Sequence, residues 1–220
     1  MKRLIMLVAI AALLSGTALA SPTVKYLGLG YKGTYNFGGS VGNVYAGELK
    51  YYASGIPGVT DGEFISFCVE ANEELHAGKT YMATVNTAAV NGGLAGGNPD
   101  PLSNSTAWLY NSYLDNVIGS SNNTIARDYQ MAIWYLEDEI ADKSKLSIAA
   151  QALVDNALAN IGVVNNNIKV LNLEYYDSNQ RLIAAQDTLV RVSPVPLPGS
   201  VALSGLGLSV VGFLRRRRTL

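Results

Sequence analysis

Hydrophobic and polar positions change period twice along the chain. From Thr23 to Val69 the pattern is short-range and rich in glycine, tyrosine and valine. In "SVGNVYAGELKYYA", Val44, Ala46 and Glu48 oppose Tyr45, Leu49 and Tyr51. In "EFISFCVEA", Ile65, Phe67 and Val69 share one face, and Phe64, Ser66, Cys68 and Glu70 the other. Alternation of this kind predicts two strands, split by the turn-rich "SGIPGVTDG". After a Gly- and Pro-rich loop, "NTAAVNGGLAGGNPDPLSNS", the period lengthens to that of a helix. A loop of this length inside a domain points to function or mobility.

Three helices are predicted. The first runs from Thr106 to Val117 behind a Ser105 cap, with Ala107, Leu109, Tyr110, Tyr113 and Leu114 on its apolar side. The second runs from Thr124 to Ile140, capped by Asn123 or Thr124, with Ile125, Ala132, Ile133, Leu136 and Ile140 as its core stripe. The third, Leu146 to Asn160, is alanine-rich and ends at Gly162. Strand patterns return in "NIKVLNLEYY" and "DTLVRVS". Strands, helices and strands again predict an α+β chain: a β-sandwich or barrel with an inserted, mainly helical subdomain.

The two ends read differently from the middle. Residues 1–20 carry Lys2 and Arg3, an apolar run from Leu4 to Leu14, and Ala18-Leu19-Ala20, which together predict a secretory signal peptide cleaved before Ser21. Residues 193–220 combine prolines, an uncharged glycine-containing stretch and Arg215, Arg216, Arg217 and Arg218. The arginines would stay on the cytoplasmic side of a short transmembrane segment. This tail resembles the PEP-CTERM-type sorting signals of Gram-negative bacteria in their Val-Pro-Leu-Pro variant, here Val195, Pro196, Leu197 and Pro198. Leu197 stands where the commonest form has glutamate. The resemblance implies a chain held transiently in the inner membrane and processed by an exosortase-type enzyme. Its destination would then be the cell surface or an exopolysaccharide-rich matrix.

The secreted region expected between the signals is residues 21–192. From Ser21 to Val195 there are ten basic and seventeen acidic residues, a net charge of −7. An acidic balance argues against nucleic acid and anionic lipid as partners.

Cys68 is the only cysteine, so an exported chain could form no internal disulfide. Burial is one fate for it; chemical occupation is another. Gln130 lies on the second helix with Ala126, Ile133 and Trp134 on its face. An amide pointed into packed surroundings needs partners. A hydrogen bond would serve, and so would a covalent one.

Phe67-Cys68-Val69-Glu70 and Gln130-Met131-Ala132-Ile133-Trp134 together resemble the two elements of the thioester domains of bacterial surface adhesins. Tyr129 stands where threonine commonly precedes the glutamine. The resemblance implies a bond between Cys68 and Gln130 formed with loss of ammonia. Glu70 reads as a hydrogen-bonded strand-end carboxylate, with orientation of Gln130 as its functional alternative, and Trp134 is expected to pack over the bond or the core. An amine-bearing surface ligand would be the partner, through covalent adhesion. The alternative is a non-covalent matrix protein that binds polysaccharide through exposed tyrosines and the Asn/Gly-rich loop.

Other chemistry is weakly encoded. One histidine and one cysteine cannot make an ordinary zinc cluster, and no metal or other cofactor is expected. Glu137, Asp138, Glu139 and Asp142 read as a solvated helix end without calcium-loop spacing. His76 reads as solvent-facing, with proton transfer as its functional alternative. "GLGYKGTYNFGG" lacks the Lys-Ser/Thr ending of a phosphate loop. Enzymatic turnover is not expected.

Overall fold

The alternating first third forms two long strands, β1 (Thr23–Asn36) and β2 (Asn43–Ser54), paired antiparallel with Tyr26 opposite Tyr51 and Thr34 opposite Tyr45. The computed structural model describes residues 21–163 and 165–194. The expected signal peptide and the sorting tail from Val195 onward, with its arginines, lie outside the described residues. Strand β3 (Gly62–Ser66) adds to β2, and β4 (Thr80–Asn86) adds to β1. The Gly- and Pro-rich loop carries a minimal ladder of its own, β5 (Ala88–Ala89) with β6 (Asp100–Pro101). Two further strands, β7 (Ile168–Tyr176) and β8 (Leu182–Arg191), complete an antiparallel sheet ordered β3-β2-β1-β4-β7-β8.

Three helices are inserted between β6 and β7: α1 (Asn104–Asn116), α2 (Asn123–Leu136) and α3 (Ile148–Ala159). The chain is therefore α+β with a helical insertion, as its periodicity predicts. The caps of α1 and α2 lie one or two residues before the expected ones. Ser103 accepts from Thr106 N–H, and Asn122 accepts from Thr124 and Ile125. Ser147 caps α3 through Ala150 N–H. Such side chains satisfy backbone donors that have no partner within the helix. Among the described residues no helix is long and apolar enough to cross a membrane.

Helix α2 packs on β1 and β2 and against α3, burying Ala126, Gln130, Ile133 and Trp134. The core is aromatic. Phe67 meets Tyr113 edge-on at 4.9 Å, and Trp134 meets Phe37 edge-on at 5.2 Å. Such pairs add to the burial of large apolar area.

The sheet's two edges are joined. Beyond Ser66 the chain leaves β2 and crosses to β8, where Cys68 forms an isolated antiparallel bridge with Thr188. Val69 N–H donates to Asp187 O at 3.1 Å, and Leu189 N–H to Phe67 O at 3.1 Å. Cys68 thus sits just past β3 rather than within a continuous strand. The alternation expected for "EFISFCVEA" also breaks there. Every residue from Ser66 to Ala71 is buried, because both sides of the segment are covered.

Helix α2 stops four residues short of its expected end. Asp138 takes a positive φ of 61°, which turns the chain back. Glu139 N–H and Ile140 N–H then both donate to Trp134 O, at 2.7 and 3.1 Å. The acidic run is therefore only partly a solvated helix end: Asp138 and Asp142 are exposed, but Glu137 and Glu139 are both buried. Glu137 accepts from Ser103 N–H, and burial pushes its carboxyl up to about 7 against the hydrogen bonds it receives.

Between the unfolded value near 4.5 and about 7 the folded chain holds the extra proton. Raising pH through that window therefore lowers stability. At about 1.4 kcal/mol per unit, Glu137 alone should contribute a loss on the order of 3 kcal/mol. Chemical denaturation across the window should show this slope in the wild type and a shallower one in Glu137→Gln. Equal slopes in both proteins would exclude Glu137 as its source.

Candidate functional site: the Cys68–Gln130 clamp

Gln130 enters from the third turn of α2, and its amide meets the backbone of the crossing segment. Cys68 N–H donates to Gln130 Oε1 at 3.0 Å, and Gln130 Nε2 donates to Cys68 O at 2.9 Å. Both ends of the amide are thus bound to one residue, and its carbon lies alongside residue 68. Gln130 is fully buried and Cys68 is 6% exposed. A buried amide satisfied at both ends has a fixed orientation.

Burial, and then the carboxyls of Glu70 and Glu73, push the Cys68 thiol well above the ordinary thiol range. As a free side chain it is therefore a neutral thiol. That state is slow in disulfide exchange, which proceeds through the thiolate. A pocket of about 270 Å³ opens beside it, lined in part by Tyr26, Leu49, Cys68, Leu75, Trp134 and Gln186. Trp134 is 1% exposed and walls both this pocket and the core.

Glu70 does not bind the Gln130 amide in this arrangement. It is 1% exposed, and neither of its carboxylate oxygens has a hydrogen-bond partner among the described residues. Burial first, then the charges of Asp187, Glu73 and Glu139, raise it to about 10. His76 is exposed, and its backbone N–H donates to the Tyr81 hydroxyl at 2.8 Å.

Several residues around the clamp carry no sequence signal of their own. Gln186 Nε2 donates to Glu70 O, and Thr188 Oγ1 donates to Phe67 O at 2.9 Å, so side chains of β8 hold the backbone of the cysteine segment. Glu139 is a hub. Its carboxylate accepts from Ala71 N–H at 2.8 Å and from Leu94 N–H at 2.7 Å, tying the cysteine segment to the Gly-rich loop. Gly93 permits the approach: its φ is 50°, and a Cβ there would overlap the Glu139 carboxylate. The pair Gly92-Gly93 is the one sequence feature that could have marked a close contact.

The arrangement can present a polarised, immobilised amide to a thiol on the residue that immobilises it. No protein-family model matches this chain, and no curated protein matches it. Among solved structures the chain is similar to the N-terminal thioester domain of a surface protein from Clostridium perfringens, at 15% identity over 76% of this chain and 97% of that one, with a TM-score of 0.46.

Proposed function

We propose that this is an exported surface protein whose Cys68 and Gln130 condense to an internal thioester for covalent attachment to amine-bearing ligands. The observation that carries the reading is the two-ended clamp of the Gln130 amide on Cys68. Cys68 Sγ adds to Gln130 Cδ, the Cδ–Nε2 bond breaks, and the thiol proton leaves with the nitrogen as ammonia. Cys68 N–H already lies 3.0 Å from Oε1, the oxygen on which charge develops during addition. A preorganised donor there stabilises the tetrahedral intermediate. The Cys68 carbonyl holds the departing nitrogen, and fixed geometry offsets the low reactivity of an amide.

The product is an acyl electrophile beside a pocket. An amine that attacks Gln130 Cδ gives an amide and returns Cys68 as a thiol, so each chain acts once. Export, transient inner-membrane anchoring and exosortase-type processing of the tail belong to the same proposal, supported by the patterns at the two ends of the sequence.

Intact-mass measurement on freshly purified, unreduced protein tests it. The chain should weigh about 17 Da less than its sequence, from the lost ammonia, and show no titratable thiol after denaturation without nucleophiles. Full mass with one free thiol would overturn the covalent reading. That result would favour the non-covalent matrix reading, for which the observation is three exposed tyrosines on β1 and β2: Tyr31, Tyr45 and Tyr52. Lys32 lies 4.0 Å over the Tyr45 ring, which leaves a cation beside that aromatic surface.

A further inference from the structure

Next to the cysteine, three carboxyl groups converge from two parts of the chain. One carboxylate oxygen each from Glu70, Glu73 and Asp187 lies within 4.8 Å of the others. Two oxygens on opposite sides of a calcium ion are separated by about 5 Å, so the three already have the spacing of ligands on one ion. Glu70 and Asp187 are each 1% exposed. Both oxygens of Glu70, and Oδ1 of Asp187, have no hydrogen-bond partner among the described residues. Leaving buried carboxylate oxygens without partners is costly.

Among the described residues no ion pair offsets these charges. The ion pairs of the described residues join Arg127 to Asp128, Lys143 to Asp155, Arg181 to Asp177 and Arg191 to Asp115. Hydrogen bonds instead fix the cluster's outer side. Glu73 Oε2 accepts from Asp187 N–H at 3.1 Å, Glu73 Oε1 accepts from Asn91, and Asp187 Oδ2 accepts from Val90 N–H. These bonds orient Glu73 and Asp187, the part that outer partners play around metal ligands, while both Glu70 oxygens and Asp187 Oδ1 stay free.

We infer that Glu70, Glu73 and Asp187 form a binding site for a hard divalent cation, with Ca2+ the ion that fits best. The donors are all oxygen, which excludes a soft-metal preference. Calcium accepts irregular sets of six to eight oxygens and bidentate carboxylates, whereas magnesium demands near-ideal octahedral geometry. Glu73 also lines the pocket beside Cys68, which gives the ion a route in and room for water ligands. The ion would pin the segment that follows Cys68 to β8. This inference stands apart from the thioester, since it uses neither Cys68 nor Gln130. The competing arrangement is a proton shared between Glu70 and Glu73.

Calorimetric titration of the chelator-stripped full chain with calcium chloride, and separately with magnesium chloride, decides between them. Calcium should bind one per chain with a Kd at or below about 10⁻⁴–10⁻³ M, more tightly than magnesium, and should raise the melting temperature. Glu70→Gln and Asp187→Asn should each weaken calcium binding by at least about tenfold. Cys68→Ala should retain it, which separates failure of this site from failure of the thioester. No saturable calcium binding to the wild type would overturn the inference, as would wild-type affinity in both carboxylate variants. A Glu70→Gln chain that is more stable than a wild type deaf to calcium would assign the cluster to a shared proton. Should either buried variant fail to fold, the wild-type titration and Glu73→Gln, altered at a half-buried position, still give the answer.

Discussion

Methylamine added to the folded protein is expected to join each chain once, at Gln130, and to release one thiol at Cys68. The adduct should be about 31 Da heavier than the thioester form, and peptide mapping should place it on Gln130. The effect is all-or-none because the pair forms a unit. Cys68→Ala removes the nucleophile that makes the ester, and Gln130→Ala removes the acyl carbon, so each variant should take up no amine. Both should still fold, because the strands and helices that carry them are held by a core far larger than either side chain. Relative to the uncondensed chain, Gln130→Ala does lose two buried hydrogen bonds and leaves Cys68 N–H and C=O facing a void. A stability loss of about 2–3 kcal/mol is expected from that alone. Amine uptake that persists in Cys68→Ala would show another residue reacting and would defeat the proposal.

The largest loss of stability is expected at Trp134. Its side chain is 1% exposed, sits on the face of α2 that packs on β1 and β2, and meets Phe37 edge-on. Trp134→Ala should cost about 3–5 kcal/mol, from lost burial and the cavity left behind. Against total stabilities of about 5–15 kcal/mol for a domain, that is a large fraction. Urea unfolding should show a lower midpoint with the same denaturant dependence. Trp108→Ala is the control, because that ring is only partly buried and should cost less. A Trp134→Ala loss below about 1 kcal/mol would mean that α2 is not anchored through this ring.

Much of this was legible in the order of the residues. The spacing of Ala126, Gln130, Ile133 and Trp134 placed all four on one face of α2, and all four are buried. The strand–helix–strand order followed from two changes of period. Helix ends were less legible, because a cap depends on which side chain reaches back to the first turn; Ser103 does, although Ser105 looked equivalent.

The burial of Glu139 is hidden from the sequence for a physical reason. Three consecutive acids favour solvent unless the backbone reverses, and the reversal rests on Asp138 adopting a positive φ that no local pattern announces. Glu70, Glu73 and Asp187 were also beyond sequence reading as a group. Asp187 reaches the other two only because the edges of the sheet meet, a long-range event that periodicity cannot encode.

That edge closure sets a timetable. Phe67 O accepts from Thr188 across 121 residues, and β8 is the last strand among the described residues. The loop-closure entropy of so distant a contact must be met before the contact contributes, which slows folding. Until β8 arrives, Cys68 rides on an incomplete chain with one of its two walls missing, open to any passing oxidant. Once β8 seats, the thiol is enclosed in the same event that brings the last wall of its pocket into place. Enclosure of the thiol thus waits on Thr188, 121 residues beyond Phe67.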